Sequence, residues 1–371
     1  MAHIISGIWC RIDRSLFPAI ECALEAELND SHKRVIATLE VVRIEEHVRP
    51  ASWQVRGRPR ADRASIARAF VAKAVLDIPL TKGMREALLA DPALRLICGF
   101  TRQRDVPSES TLSRAFAEFA RTELGRRVHE ALADKHVGHR VVMHICRDST
   151  ALPAREKPVK KPREPKEPKL PRKRGRRGKN DPPAPPRERK RIEKQREQTP
   201  EEAFAELPTV CDKGCKKDSH GNPHYWVGYK EHIDWTDNGF PLTVRITSAS
   251  VHDSQVAIPM AKHTASKYTV FYELMDAAYD ADHIHGAVRE LGHVPIIAIS
   301  NRRTMSPPLD PASKRRYNVR TAAERGNSRL KDEFGCRDIR VRSAAKVHQH
   351  VMFGVLALCA DVLLKMAIGV T

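Results

Sequence analysis

Between Arg155 and Glu197 lies a stretch that no folded core can absorb: 19 Lys and Arg against 7 Asp and Glu, with nine prolines. Proline removes backbone donors and like charges repel. Such a segment cannot bury enough apolar surface to offset the entropy of ordering it, so it is expected to be extended or disordered. Immediately before it, Val141-Val-Met-His-Ile-Cys146 is a continuous apolar run, as in a central strand covered on both faces.

The tract accounts for 12 of the chain's net charge of +19, and that excess points to a polyanionic partner, nucleic acid before an anionic membrane. It reads as an arm that binds DNA electrostatically and without sequence preference, through residues such as Lys173, Arg174, Arg176 and Arg177. The plainer alternative is a solvated spacer. Arg56-Gly57-Arg58-Pro59-Arg60 could lay Arg58 in a narrow minor groove, or serve only as a basic linker.

The 371 residues suffice for two domains, and 41% hydrophobic residues is ordinary for a folded protein. The 8 cysteines are scattered and no signal peptide opens the chain, so reduced cytosolic thiols are expected. The run Val351 to Ala360 is interrupted by Asp361 and Lys365, short of the ~20 residues that span a bilayer. It is expected to be a buried helix, with no membrane partner. Nucleotide-phosphate loops of the G-x-x-x-x-G-K-[ST] type are absent, so ATP is not expected. Cys211-x-x-x-Cys215, with His220 and His224 nearby, is too loosely spaced for a strong zinc expectation.

Residues 1–140 read as helical. Ile66, Phe70, Val71, Ala74 and Val75 recur at helical spacing, and Pro107-Ser108-Glu109-Ser110 opens another helix carrying Leu112, Ala115, Phe116 and Phe119. Ser110 to Phe119 could be the reading helix of a helix-turn-helix, or one member of a packing module. Beyond the tract, strands are expected over His224–Trp235, Pro241–Thr247, Val270–Met275 and Pro295–Ile299, with helices over 254–267 and 283–291. Asp237-Asn238-Gly239 marks a hairpin turn between the first two of these strands.

In that order the first strand ends at Asp148 and the fourth at Asp276. If the two strands lie side by side and parallel, both carboxylates emerge from the same edge of the sheet. The stretch Tyr317 to Lys331 then completes the picture. As a helix it places Tyr317, Arg320, Glu324 and Lys331 within an arc of roughly 60°. Thr321-Ala-Ala-Glu324 is also a capping box, in which Glu324 would only satisfy backbone N–H groups. Three converging carboxylates repel unless a cation sits among them, and oxygen-only ligands select Mg²⁺ or Mn²⁺. Two such ions suit displacement at a phosphodiester. His252 and Asp253 support the site or touch DNA, or form an Asx-turn.

Tyr317-x2-Arg320-x3-Glu324-x6-Lys331 resembles the signature around the catalytic glutamate of bacterial insertion-sequence transposases of the DDE type. Asp148-Ser-Thr150 and Asp276-Ala-Ala-Tyr279 resemble the contexts of that group's two catalytic aspartates, and Gly228-Tyr-Lys-x-His232 and Ser250-Val-His-Asp-Ser254 resemble segments between them. The resemblance implies an α/β fold, a ribonuclease H-like mixed sheet with flanking helices behind an all-α N-terminal domain. It implies an organisation of 1–140 for DNA binding and dimerisation, 141–154 for the first catalytic strand, 155–205 for the disordered insert, and 206–371 for the rest of the core. It further implies Asp148, Asp276 and Glu324 as catalytic metal ligands, with Tyr317, Arg320, Lys331, Arg325 and Asn327 on DNA. The expected partners are double-stranded DNA, as transposon ends and target, and a second copy of the chain. A silent DNA-binding derivative, or a nuclease that cleaves without joining, are the alternatives. Only 48 residues separate Asp276 from Glu324, which leaves no room for a large inserted domain.

Overall fold

The computed structural model describes residues 28–49, 60–159, 189–217, 220–299 and 309–369. Arg58 and the arm residues Lys173, Arg174, Arg176 and Arg177 lie outside them.

The N-terminal part is a helical bundle: α1 (Asp30–Val42), α2 (Arg63–Val75), α3 (Thr81–Ala90), α4 (Pro92–Ile97), α5 (Glu109–Arg121) and α6 (Leu124–His136). Several of these helices start where a side chain accepts the first free N–H groups. Asp62 accepts from Ala64 and Ser65, Asp91 from Leu94, and Ser108 from Thr111. Helix α2 is buried almost all round, as befits the centre of a bundle.

The sheet comprises β1 (Val141–Pro153), β2 (Asp212–Lys217), β3 (Pro223–Thr236), β4 (Pro241–Ser248), β5 (Thr269–Met275) and β6 (Val294–Ile297). Its central order is β4–β3–β1–β5–β6, with β2 pairing the first half of β3. Strand β3 runs antiparallel to β1, with Asp148 opposite Ile233, and β5 runs parallel to β1, with Cys146 beside Leu274. The parallel neighbours inferred from the apolar runs are therefore present. Between and after the strands come α7 (Arg191–Lys194), α8 (Pro200–Ala205), α9 (Ser254–Ala265), α10 (Asp282–Glu290), α11 (Pro311–Tyr317), α12 (Thr321–Asp332) and α13 (Ala344–Ile368).

Three expectations are corrected. Strand β1 does not end at Asp148; it continues to Pro153, because the 14-residue β3 pairs with it as far as Gly228. Strand β2 is additional; its Lys-rich sequence has no apolar alternation to announce it. The insert is not disordered as far as 205. Residues 189–205 include α7 and α8, and Lys262 Nζ on α9 donates to the carbonyls of Gln195, Arg196 and Gln198 at 2.7–3.0 Å. The pair Cys211 and Cys215 cannot share an ion: four residues along an extended segment span about 13 Å, and Cys211 is buried while Cys215 is exposed.

Helix α13 is apolar and long enough to cross a membrane, but most of it is packed inside the protein. Phe353 stacks 5.6 Å from Phe70 of α2, and Phe116 of α5 lies 5.0 Å from Phe70. The last helix thus plugs the first bundle, and one continuous apolar core joins bundle and sheet.

Beneath the sheet, fully buried Arg147 donates to both oxygens of Asp234 at 2.7 and 2.9 Å and to Glu273 at 2.7 Å. Thr264 donates to Asp234 and His293 pairs with Glu273. Breaking one partner of such a network leaves an uncompensated charge, which costs about 3–5 kcal/mol. Side chains alternate along a strand, so Arg147 and Asp148 face opposite sides. The network locks β1, β3 and β5 together one residue from Asp148.

Candidate active site

Asp148 sits on β1 and Asp276 follows β5, on adjacent parallel strands. Burial pushes the Asp148 carboxyl above the ordinary range and the nearby charge of Asp276 adds to this, while Arg320 opposes it. Asp276 Oδ1 accepts from the Ala278 N–H at 2.9 Å, which turns the chain into a short 3₁₀ segment.

The third carboxylate arrives on α12. Its helical run begins earlier than Thr321, with α11 and a 3₁₀ turn at Asn318–Arg320 in between. The capping box does not form: Arg320 holds the N-cap place, and exposed Glu324 accepts from Arg320 Nη2 at 2.6 Å. Arg320 Nη1 lies 3.8 Å from Asp148 Oδ1, so one guanidinium bridges two of the three carboxylates. The same guanidinium lies 5.9 Å from the centre of the Tyr317 ring.

Helix α12 can approach this closely because residue 326 is glycine. A Cβ there would stand 2.6 Å from the Trp235 ring on β3. The next residue, Asn327, is a correction to the expected DNA contacts: it is buried, and its amide donates to Asp148 Oδ2 at 2.9 Å. Arg325 points elsewhere, lining a groove beside Asp237, Asn238 and Gly239. Lys331 is half-buried, and burial followed by repulsion from Lys216 and Arg337 lowers its pKa.

Two motifs between the aspartates converge behind the site. Lys230 donates to Asp253 Oδ1 and to the Val251 carbonyl, both at 2.9 Å. Burial raises the Asp253 carboxyl, but His232, Lys230 and hydrogen bonds from Lys230 and Ser149 outweigh it and hold it low. Sequence reasoning left the role of Tyr279 open. Its hydroxyl is buried without a hydrogen-bond partner among the described residues, and burial with the charges of Asp253, Asp148 and Asp276 raises its pKa well above the usual value. An aromatic three residues after a candidate ligand was the available signal.

Among the described residues, no three His, Cys, Asp or Glu side chains stand close enough to hold a metal ion. The donor set nevertheless fits a hard divalent cation. Asp148 and Asp276 repel, a cation already occupies the space as Arg320, and Tyr279 Oη and Asn327 Oδ1 are orphaned beside them. Turning Arg320 away from Glu324 and Asp148 would free both carboxylates.

Away from this site, α5 turns its apolar residues inward and leaves Ser110, Arg114 and Arg121 outside. Arg114 and Arg121 line an open groove with Arg60 and Arg104.

A five-strand order with the antiparallel pair first and two parallel strands after the central one defines a ribonuclease H-like domain, with its acidic residues on adjacent central strands. Residues 143–360 match the family model of the Transposase DDE domain, and residues 23–118 match Transposase domain (DUF772). The chain belongs to the DDE transposase family. No curated protein and no solved structure matches it.

Proposed function

We propose that the chain cuts DNA at the terminal inverted repeats of its own element and joins the freed ends to target DNA. The observation that supports this reading is Arg320, whose guanidinium pairs with Glu324 and lies 3.8 Å from Asp148, on the strand beside the one that Asp276 follows. Asp148, Asp276 and Glu324 would hold Mg²⁺ or Mn²⁺, two ions in the full complex. The ions would supply Lewis-acid activation of a water or 3′-hydroxyl and neutralise charge at the phosphate.

The chain's own residues do the rest. Asn327 orients Asp148 through its amide. Arg320, released from Glu324, is free to meet a phosphate, and Tyr317 beside it packs on the DNA end. Cleavage adds water across the phosphodiester and leaves a 3′-hydroxyl and a 5′-phosphate. In joining, that 3′-hydroxyl attacks a target phosphate and a target 3′-oxygen departs with the proton, so no cofactor is consumed. Two ends must be cut together, which calls for two copies of the chain.

A second reading, a DNA-binding protein without chemistry, draws on the closed Arg320–Glu324 pair at 2.6 Å. The test is Mg²⁺-dependent cleavage of labelled terminal DNA. Asp148→Ala, Asp276→Ala and Glu324→Ala are each expected to abolish it while binding survives. Activity retained in Glu324→Ala would remove Glu324 from the ligand set, and binding without cleavage in the wild type would leave the silent reading.

A further inference from the structure

Apart from the carboxylate site, a groove of about 510 Å³ separates the helical bundle from the loop that joins α12 to α13. Six cations line it, Lys73, Lys82, Arg155, Arg340, Arg342 and Lys346, against a single carboxylate, Glu109. They come from four separate parts of the chain: α2, α3, the end of β1 and the approach to α13. Some are partly engaged, since Arg340 reaches Asp338 at 3.4 Å and Lys82 reaches Glu86 at 3.7 Å. Arg342 donates to the Arg155 carbonyl at 3.2 Å, which fixes these two arginines side by side without neutralising either.

Lys73 marks this as more than a solvated basic surface. It is 6% exposed and set among Phe70, Phe334 and Phe353, yet it forms no ion pair among the described residues. Burial lowers its pKa to about 8, with Cys336 and Asp77 opposing. A lysine is rarely buried unless paired, and Lys73, with no ion pair among the described residues and only the more distant charge of Asp77 to help it, calls for an anion in this cationic groove. The groove is open to solvent on one side rather than enclosed, so it suits a backbone, not a small metabolite.

Its position gives the anion a length scale. Arg155 lies seven residues beyond Asp148 and two beyond the end of β1, in a bend, so ~3.3 Å per residue of extended chain sets an upper bound of about 23 Å. B-DNA rises ~3.4 Å per base pair, so this is at most about seven base pairs.

We infer that this groove is a second DNA-backbone site, seating phosphates of the terminal duplex within about seven base pairs of the cleavage point. The inference rests on the transposase reading, since it takes the carboxylates as the cleavage point. Its chemistry is phosphate recognition by charge, so it adds affinity and register without reading bases.

The test uses the full chain and a labelled duplex of the terminal sequence beside its own gene, with binding measured over a salt series. Each phosphate contact contributes about 0.9 to the slope of log affinity against log salt. Arg155→Gln/Arg342→Gln/Lys346→Gln is expected to flatten that slope by roughly 2–3 and to erase phosphate-ethylation interference at the inner position. Lys73→Met, which replaces an unpaired buried charge by an apolar chain, should flatten it by about one while melting no lower than wild type. Wild-type slopes and unchanged interference in both variants would overturn the groove site. A wild-type chain that binds and cleaves in that same experiment keeps the transposase reading; one that does neither sinks both.

Discussion

Gly326→Ala tests how the third carboxylate is placed. An added Cβ would meet Trp235 at Cζ3, Cε3 and Cη2, 2.6–2.7 Å away. Carbon atoms rest at ~3.5–4.0 Å, so α12 must retreat by about 1 Å or the indole must turn. Overpacking of this kind costs about 1–3 kcal/mol, and alanine's helix propensity returns ~1 kcal/mol. The net loss of stability is therefore small, about 0–2 kcal/mol. Catalysis is more sensitive. Glu324 and Asn327 flank the glycine on the same helix, and a 1 Å misplacement costs ~10²-fold in rate. Single-turnover cleavage at saturating DNA, beside a thermal melt, should show a chain that folds but cuts roughly a hundredfold slower. Adding Trp235→Phe removes the atoms the Cβ would strike and should restore most of the rate. A Gly326→Ala chain that cleaves at the wild-type rate would refute the idea that this contact sets the helix.

Two further outcomes follow from burial at the site. Burial holds Asp148 above its unfolded pKa, so its protonated form stabilises the fold at low pH, and that contribution is lost as pH rises through the folded value. Asp148→Asn should therefore raise the melting temperature at neutral pH, with the gain shrinking in acid, while cleavage is lost; a lower melting temperature at neutral pH would contradict the burial argument. Tyr279→Phe removes a buried hydroxyl that has no hydrogen-bond partner among the described residues. Its melting temperature should not fall, but if that hydroxyl donates to a ligand carboxylate once ions bind, Mg²⁺ titrations of cleavage and direct Mn²⁺ binding should both shift to higher concentration. Unchanged metal curves would reduce Tyr279 to packing.

What could be read before folding was whatever local chemistry determines. Val141 to Cys146 is the central strand, though not covered on both faces throughout, since Val141 and Met143 are exposed; its parallel pairing with β5 brought Asp148 beside Asp276. Glu324 was ambiguous because a capping box and a ligand share the same spacing, and only the 3₁₀ turn at Asn318–Arg320 decided against the cap. Asn327 could not be distinguished from a DNA contact, since its burial depends on how near Gly326 lets α12 come to Trp235. Strand β2 and the ordering of residues 189–205 were invisible because both depend on long-range partners, β3 in one case and Lys262 in the other. The arginine bridge explains why the metal set looks incomplete. Asp148 and Asp276 repel, so an internal cation that also pairs Glu324 is the arrangement electrostatics favours. Arg320 can then exchange its carboxylates for a DNA phosphate in the same movement that opens them to metal, which would couple ion binding to the arrival of DNA.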